Sequence, residues 1–325
     1  MRPLREVLGS LWPEAAGRSP GEQGSESWAQ AVASYPELPA TYKPFFDALP
    51  DAERTPFPYT VLTPTFKGHR RPENEKLVCR IGASVWVLEK IGDRLSSTCF
   101  PLADICYVEN GMILLHSWIT IRGVNSNGVL TSSTLKFNSV TDRVMAPLVE
   151  AMRPSLTGPG APAAGRDSSQ FAYLATQSFK FRSYAQATIR PGESVVQTIL
   201  QPEIRSKLVR LAFVSLSRAV APAHLTILTD CELIDIRDDI SQRWLNGHPH
   251  GGIWTYVPLS RIVSISLDSK KKNTLVLSVC LPGRQHFDSV FEASARAELE
   301  RLIEHVNRSA SRVAAHPSAG EPIAA

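Results

Sequence analysis

The chain has 325 residues, of which 43% are hydrophobic and 20% charged, and its formal net charge is +4. That length exceeds one typical domain and accommodates two domains of roughly 100–150 residues, each with its own core. The composition is typical of a soluble globular protein. The nearly balanced charge argues against the strong basic field of nucleic-acid-binding proteins, while it still permits a weak preference for anionic partners.

The five cysteines stand in apolar strand contexts and lack paired spacing: Cys79, Cys99, Cys106, Cys231 and Cys280. This pattern predicts free core thiols in a reducing compartment. Residues 1–16 lack the continuous apolar core of a signal peptide, and a run of about 18 apolar residues, which a membrane-spanning helix needs, occurs nowhere. We therefore expect a cytoplasmic protein without a transmembrane segment, with peripheral membrane contact as an alternative.

The N-terminal region is predicted to be only partly ordered. Residues 1–25 are rich in Pro, Gly, Ser and Glu, which predicts disorder. Residues 26–34 are interpreted as a short helix. Residues 35–54, in which prolines alternate with aromatic residues, are interpreted as an irregular arm.

Short apolar segments with turn residues every 8–12 positions follow, which is typical of an antiparallel barrel or sandwich. The strand candidates of the first half are 57–63, 76–80, 84–90, 95–99, 103–109, 112–121 and 129–137. Those of the second half are 179–189, 194–201, 207–216, 223–228, 232–237, 254–257, 261–267, 274–280 and 285–291. Asn110-Gly111 and Asn127-Gly128 are predicted hairpin turns, because both residue types tolerate positive φ. Between the halves, turn formers and small residues over 154–170 predict a linker.

Each half is predicted to end in an amphipathic helix. In the second half, apolar residues recur at helical spacing: Leu299, Leu302, Ile303 and Val306. In the first half the corresponding stripe is Val144, Leu148, Val149 and Met152. There Ser139 with Asp142 resembles a capping box, whereas Pro147 is a misfit because a proline inside a helix removes a backbone hydrogen bond.

The two halves repeat a short order of motifs. In the first half, Lys76-Leu77-Val78-Cys79-Arg80 and Ser84-Val85-Trp86-Val87-Leu88-Glu89 lead to Pro101-Leu102-Ala103-Asp104-Ile105. In the second half, the matching runs are His224-Leu225-Thr226-Ile227-Leu228, Glu232-Leu233-Ile234-Asp235-Ile236-Arg237 and Pro258-Leu259-Ser260-Arg261-Ile262. The repeat predicts a duplicated β-scaffold, and a scaffold alone does not specify a function.

Six or seven antiparallel strands followed by one helix, twice, resemble a pair of pleckstrin-homology-like (PH-like) domains, the group that includes GRAM domains. The resemblance covers roughly residues 57–153 and 177–308. Residues 57–64 and 115–120 are also similar to stretches of uncharacterised bacterial proteins. The resemblance implies two antiparallel barrels or sandwiches, each closed at one end by its helix. It also implies a binding module, since some PH-like domains bind inositol phospholipids through basic loops and many bind only proteins.

Two basic clusters could contact phosphate or an anionic bilayer. They are Lys67, Arg70 and Arg71 in an early loop of the first half, and Lys270, Lys271 and Lys272 at a predicted hairpin tip of the second. The first cluster lies near the position where the resemblance implies the basic loop of lipid-binding members. In both places a solvated loop is the favoured alternative, and lysines on a hairpin also deter edge-to-edge pairing of sheets.

A stretch at 244–254 combines histidines and tryptophans with flexible glycines: Trp244, His248, His250 and Trp254. The two histidines could ligate a metal or line a pocket. A metal site needs three or four donors, however, and no Cys or His partner stands at a recognised spacing. We favour a loop anchored by its tryptophans that contacts a partner, and we predict neither a metal nor a cofactor.

The sequence contains no catalytic signature that we recognise. It has no Gly-x-Gly-x-x-Gly or phosphate-loop pattern and no Gly-x-Ser-x-Gly elbow. His116, Asp142 and Asp238-Asp239 lack a neighbouring partner for acid–base work. An enzyme would need residues that only the fold brings together, so it is the least favoured class.

We therefore predict a mainly β (α+β) chain of two PH-like domains that acts as a non-enzymatic protein-interaction scaffold. The alternatives are peripheral binding to anionic lipid or a phosphorylated ligand, and an enzyme with a site in the cleft between the domains. A protein partner is favoured over a lipid surface, and nucleic acid is not expected. The expected parts are an arm with a short helix at 1–54, domain one at 55–153, a linker at 154–176, domain two at 177–308 and a disordered tail at 309–325.

Overall fold

The computed structural model describes residues 28–65, 73–154, 168–211, 214–238, 251–271 and 273–315. Within them the chain is mainly β, and its sheets are antiparallel. The strands are β1 (Gln30–Val32), β2 (Thr60–Thr63), β3 (Lys76–Ile81), β4 (Ser84–Ile91), β5 (Arg94–Pro101), β6 (Ile105–Ile113), β7 (His116–Val124), β8 (Leu130–Asn138), β9 (Val195–Gln201), β10 (Ile204–Leu211), β11 (Val214–Ala221), β12 (His224–Thr229), β13 (Glu232–Arg237), β14 (Gly251–Pro258), β15 (Ser264–Lys271), β16 (Thr274–Leu281) and β17 (Gln285–Glu292). The helices are α1 (Lys43–Asp47), α2 (Asp51–Arg54), α3 (Asp142–Met152), α4 (Leu174–Gln177), α5 (Phe179–Thr188) and α6 (Arg296–Ala315).

The strands form open sheets. A five-stranded sheet has the order β1-β2-β3-β4-β5, and a seven-stranded sheet has the order β8-β7-β6-β14-β13-β12-β9. Strands β15-β16-β17 form a three-stranded sheet, and β10 pairs with β11 in a separate hairpin. None of these sheets closes into a barrel in the described part of the chain, which corrects the expectation of closed barrels.

The order of elements in the first half recurs in the second. In the first half, β2 to β5 share one sheet, β6 to β8 are consecutive neighbours in another, and α3 follows. In the second half, β9 and β12 to β14 are followed by β15 to β17 and then by α6. Both Pro-Leu-x-x-Ile motifs form a short 3-10 turn, at Leu102–Asp104 and at Leu259–Arg261. The hairpin of β10 and β11 has no counterpart among the described residues of the first half.

One ladder joins the two halves. Strand β14 pairs antiparallel with β6 from Gly251 opposite Ile113 to Tyr256 opposite Val108. Strand β6 is therefore hydrogen-bonded on both edges, because it also pairs with β7. Three strands of the first half and four strands of the second thus belong to one continuous sheet.

Three apolar clusters pack against these sheets. The first connects β2 to β8 with α3, α5 and one face of β12 and β13; its members include Val85, Phe100, Ile121, Leu148 and Ile234. The second fills the space between the seven-stranded sheet, the three-stranded sheet and α6; its members include Leu233, Val257, Leu277, Phe291 and Leu302. The third lies between the N-terminal arm and the five-stranded sheet; its members include Leu38, Tyr42, Phe46, Leu77 and Leu88. Strand β13 is buried on both faces, since alternate side chains enter different clusters.

Both terminal helices of the halves bury apolar stripes. Helix α3 buries Met145, Leu148, Val149 and Met152, and it continues through the exposed Pro147. In α6, Leu299, Leu302 and Val306 are at most 2% exposed. Each such side chain contributes on the order of 1.5–3 kcal/mol when its surface leaves water. None of the helices among the described residues combines the length and the apolar character that crossing a bilayer would require.

Three local predictions are wrong. Residues 179–189, interpreted as a strand, form α5, because the Ser178 side chain caps the helix and accepts from the Phe181 amide. Phe181 and Ala185, one turn apart, then face the first apolar cluster. Residues 28–34 are largely extended and include β1, so the predicted helix is absent there. Segment 207–216 spans parts of two strands, β10 and β11.

The Asn110-Gly111 turn is also wrong, for a packing reason. Both residues lie inside β6, and the hairpin to β7 turns instead at Leu114 and Leu115. A Cβ on Gly111 would come within 2.0 Å of the Trp118 ring, which lies over this glycine. The glycine is required by close packing against a cross-strand ring, not by a turn.

We predict that Gly251→Ala weakens the ladder between the halves. Gly251 has φ 140°, and a Cβ there would meet the Met112 carbonyl oxygen at 2.0 Å. Strain and clash together should lower the free energy of unfolding by about 2–4 kcal/mol, measured by urea denaturation. The matched control is Gly82→Ala, where φ is 55° and nothing lies within 4 Å. It should cost only about 1 kcal/mol, and equal effects would contradict the close approach at Gly251.

Candidate functional site

A buried cluster of charges lies where the first half meets the second. We call Glu150, Arg153, Arg190, Glu193 and Glu232 the junction cluster. Glu150 lies in α3, and Arg153 follows the last residue of that helix. Arg190 and Glu193 flank the turn before β9, and Glu232 is the first residue of β13. The side chains of Arg153, Glu193 and Glu232 are at most 1% exposed.

Arg153 uses its whole guanidinium group in this cluster. Its Nε donates to Glu232 Oε1 at 2.9 Å, and its Nη2 also contacts that oxygen. The same Nη2 lies 3.2 Å from Glu193 Oε2. Its Nη1 donates to Glu150 Oε1 and to the Thr188 carbonyl oxygen, both at 3.1 Å. Such bonds between ionised groups are strong, and breaking one buried partner leaves an uncompensated charge.

The junction cluster shifts the pKa values of its two buried carboxyl groups in opposite directions. Burial raises the pKa of Glu232 to about 7, with Arg153 lowering it and Glu193 raising it again. Burial acts in the same direction on Glu193, but the arginines and hydrogen bonds outweigh it and leave the pKa of Glu193 lowered. Glu232 therefore takes up the first proton.

Three ligand atoms in this region lie close enough to suggest a metal site. Those of Glu193, Cys231 and Glu232 lie within 4.8 Å of one another. Both carboxylates, however, already pair with Arg153 and Arg190. Burial also raises the pKa of the Cys231 thiol to about 12, whereas a metal ligand must be a thiolate. The charges thus favour a structural ion cluster over a metal centre.

A second polar site lies between the seven-stranded and three-stranded sheets of the second half. A cavity of about 290 Å³, which we call the polar cleft, opens there. Its polar lining is His224, Asp235, Arg237, Asp288 and Ser289, and its apolar lining includes Val220 and Val290. His224 and Asp235 are 3% and 2% exposed, so both are buried within the fold.

The buried groups of the polar cleft are incompletely paired. Asp235 Oδ1 accepts from Thr226 Oγ1 at 3.3 Å and from Ser289 Oγ at 3.4 Å, both long for hydroxyl donors. No cation lies within 4.0 Å of Asp235 among the described residues. His224 Nε2 is buried and has no hydrogen-bond partner in that part of the chain. A buried carboxylate is costly unless it is paired with a cation.

A third feature is an apolar hairpin tip. Leu114 and Leu115, the two turn residues between β6 and β7, are 54% and 59% exposed, and Val140 is 60% exposed. Ser139 holds these residues together, since its amide donates to the Leu115 carbonyl and its hydroxyl to the Leu114 carbonyl. We call Leu114, Leu115 and Val140 the leucine tip. Exposed apolar side chains that adjoin one another are a feature of interaction sites.

The structure places only part of the predicted site residues. Seven of them lie outside the described residues: Lys67, Arg70, Arg71, Trp244, His248, His250 and Lys272. Lys270 and Lys271 form the end of β15, with Lys271 opposite Thr274 across the hairpin. Trp254 lies in β14, opposite Asn110 of β6, and packs on the Tyr184 ring at a centroid distance of 4.7 Å. It is part of the joint between the halves.

The buried charges of both polar sites were not predicted from the sequence, although a signal was present. In the repeated runs, Glu232 stands where the first half has Ser84, and Asp235 stands where it has Val87. An acid in a strand position that is small or apolar in the sister copy indicates a specific partner. That partner is distant in sequence for Glu232, because Arg153 belongs to the other half.

No model of a known protein family matches the chain, and a search of curated proteins finds no match either.

We predict that Arg153→Leu strongly destabilises the protein. It would leave Glu193 and Glu232 buried without their main cation, which should lower the free energy of unfolding by about 3–5 kcal/mol in urea denaturation. The matched control is Arg205→Leu, which removes an arginine that is 61% exposed and pairs with Glu203. That exposed pair should contribute under about 1 kcal/mol. Similar losses for both variants would contradict a stabilising role of the junction cluster.

We predict that stability falls as pH rises from 5 to 8. The pKa of Glu232 is raised from an ordinary 4.5 to about 7 in the folded state, so folding favours its protonated form. The contribution of Glu232 to the free energy of unfolding is complete below pH 4.5 and is lost as pH rises through 7. Glu193, whose pKa is lowered, changes this free energy only at lower pH. Glu232→Gln keeps a neutral side chain of the same shape, and urea denaturation across this range should show a flatter pH dependence. An unchanged slope would show that other groups cause it.

Proposed function

We propose that the chain is a non-enzymatic protein-interaction scaffold of two PH-like halves, and that the leucine tip binds the partner. The observation that carries the proposal is the exposure of Leu114 and Leu115, both more than half exposed at a two-residue hairpin turn. The repeated order of four strands, three strands and a helix supports the PH-like part of the proposal.

Fold stability does not explain two leucines at this turn. Leu114 has φ 53°, a left-handed conformation that is unfavourable for a branched side chain. Two-residue hairpin turns favour Asn-Gly, which this chain places inside β6 instead. Backbone strain combined with exposed apolar side chains is characteristic of functional sites that bind a partner.

The leucine tip is also held in place before any partner arrives. Strand β6 is paired on both edges, and Ser139 fixes the turn to the chain before α3. Ordering such a surface in advance reduces the entropy lost on binding. The chain re-enters the described sheet at Gly251, opposite Ile113 and next to this turn. Gly251, which belongs to the stretch at 244–254 that is predicted to contact a partner, therefore lies beside the turn of the leucine tip.

The shape of the tip selects the kind of partner. Two adjacent leucines exposed on a two-residue hairpin turn fit a concave apolar groove on another protein better than a flat polar face. A second copy of the chain or the apolar region of a bilayer are other occupants, and each gives a different experimental result.

We predict that the double variant Leu114→Asn/Leu115→Gly loses partner binding while its stability is unchanged or higher, by up to about 1 kcal/mol. The measurement is quantitative affinity purification from the native host, with photo-crosslinkers at position 115 to locate the contact. The matched control is Val263→Ser, because Val263 is 66% exposed elsewhere on the surface.

The proposal would be supported by a protein that crosslinks at position 115, is recovered with the control variant and is not recovered with the double variant. Three results would contradict it. They are equal recovery by both variants, concentration-dependent self-association abolished by the double variant, and binding to neutral or anionic vesicles lost in that variant.

A further inference from the structure

We propose that the polar cleft binds a primary ammonium group, carried by a small amine or by a lysine side chain. The cleft combines a buried carboxylate, a buried imidazole whose Nε2 has no hydrogen-bond partner among the described residues, and an apolar wall. The sister half shows what occupies the equivalent space there.

In the first half the equivalent space is filled by the ammonium group of Lys76. Lys76 opens β3 as His224 opens β12, and each lies opposite the last charged residue of the next repeated run, Glu89 or Arg237. Lys76 is 5% exposed. Its Nζ lies 2.9 Å from Glu73 Oε2 and donates to the Thr134 carbonyl oxygen at 2.7 Å.

The position of Thr134 supports the correspondence of the two spaces. Counted back from the 3-10 turns that begin at Ser139 and Ala293, Thr134 of β8 occupies the place of Asp288 in β17. Asp288 lines the polar cleft. The carbonyl that holds the lysine ammonium in one half thus corresponds to a residue of the cavity wall in the other.

The charges balance in the first half and not in the second. There Lys76 and Lys136 face Glu73 and Glu89, with ion pairs of 2.9 to 4.0 Å. In the polar cleft, the only cation among the described lining residues is Arg237, and that guanidinium donates to Glu109 at 2.7 Å, so the buried Asp235 has no ion pair with a described residue. The shorter His224 replaces the lysine and leaves space in the cleft that Asp235 lines. A cation from outside restores the balance.

The hydrogen-bonding groups specify a donor. His224 Nδ1 lies 3.1 Å from the Pro222 carbonyl oxygen, which can only accept, so Nδ1 carries the proton. In the neutral imidazole, Nε2 is then an acceptor, like the carboxylate of Asp235. An ammonium group has three donors and no acceptor, which matches these groups better than a hydroxyl or a carboxylate does.

The size and the wall of the polar cleft limit the rest of the ligand. A volume of about 290 Å³ is at the lower end of ligand sites. Val220, Ala221 and Val290 offer an apolar surface to a short hydrocarbon chain. An alkylammonium of about four carbons, the size of a lysine side chain, fits these requirements.

The test compares n-butylammonium, n-butanol and butyrate by titration calorimetry and by NMR with the full chain at pH 7.5. Butylammonium should bind at least about tenfold more tightly than butanol, since a hydrogen-bonded charge adds that much or more. Titration with Nα-acetyl-lysine amide distinguishes the source. Tighter binding than butylammonium assigns the cleft to lysine side chains, and weaker binding assigns it to free amines. Butylammonium binding no tighter than butanol, or preferential butyrate binding, would overturn the proposal.

Two variants locate the effect. Asp235→Asn should weaken butylammonium binding about tenfold or more, while Asp268→Asn, an exposed carboxylate of β15, should leave it unchanged. His224→Lys places an ammonium group where the first half has one, so it should abolish butylammonium binding without loss of stability. Because Asp235 is buried, Asp235→Asn could fail to fold, and in that case His224→Lys tests the proposal by itself. Unchanged butylammonium affinity in folded His224→Lys would overturn the proposal.

Discussion

The pairing of β6 with β14 is the constraint on which the other features depend. It converts two sets of strands into one sheet and gives β6 a partner on each edge. Strand β13 is buried on both faces because this sheet has apolar clusters on both sides. The ladder also brings the end of α3 to the start of β13, where Arg153 and Glu232 form their buried contact. Without the ladder, the leucine tip would stand at a free edge.

The strands that correspond to β6 and β14 in the other half, β15 and β5, do not pair with each other in the described sheets. By the repeated motifs, β15 corresponds to β6 and β5 corresponds to β14, and each forms an unpaired edge in the described sheets. In the same register, Arg94 of β5 would lie opposite Lys270 of β15 from a second copy, by analogy with Gly251 opposite Ile113. Like charges directly opposite one another are destabilising, and charged residues on edge strands limit edge-to-edge growth.

The two copies share a scaffold and differ in their buried polar groups. The first half satisfies its Lys76 internally, with Glu73 and the Thr134 carbonyl. At the equivalent place the second half has a shorter histidine and an open cavity. Since buried charges are stable only when paired, the half whose described residues give Asp235 no cation is the half for which we propose an external one. The divergence therefore lies in the sites, while the strand order is retained.

The sequence by itself determined most of the strands, because alternation of apolar residues and turn formers is a local property. It also determined most of the stripes of α3 and α6, although Met145 and not Val144 is fully buried in α3, and the repeat of the Pro-Leu-x-x-Ile motif. It was misleading where a local pattern had another cause. Gly111 serves the Trp118 ring instead of a turn, and residues 179–189 are a capped helix. Only the tertiary structure decided that β6 pairs with β14, that Arg153 reaches Glu232, and that His224 and Asp235 share a cavity. Those contacts join residues far apart in the chain, and strand periodicity carries no information about which edges meet.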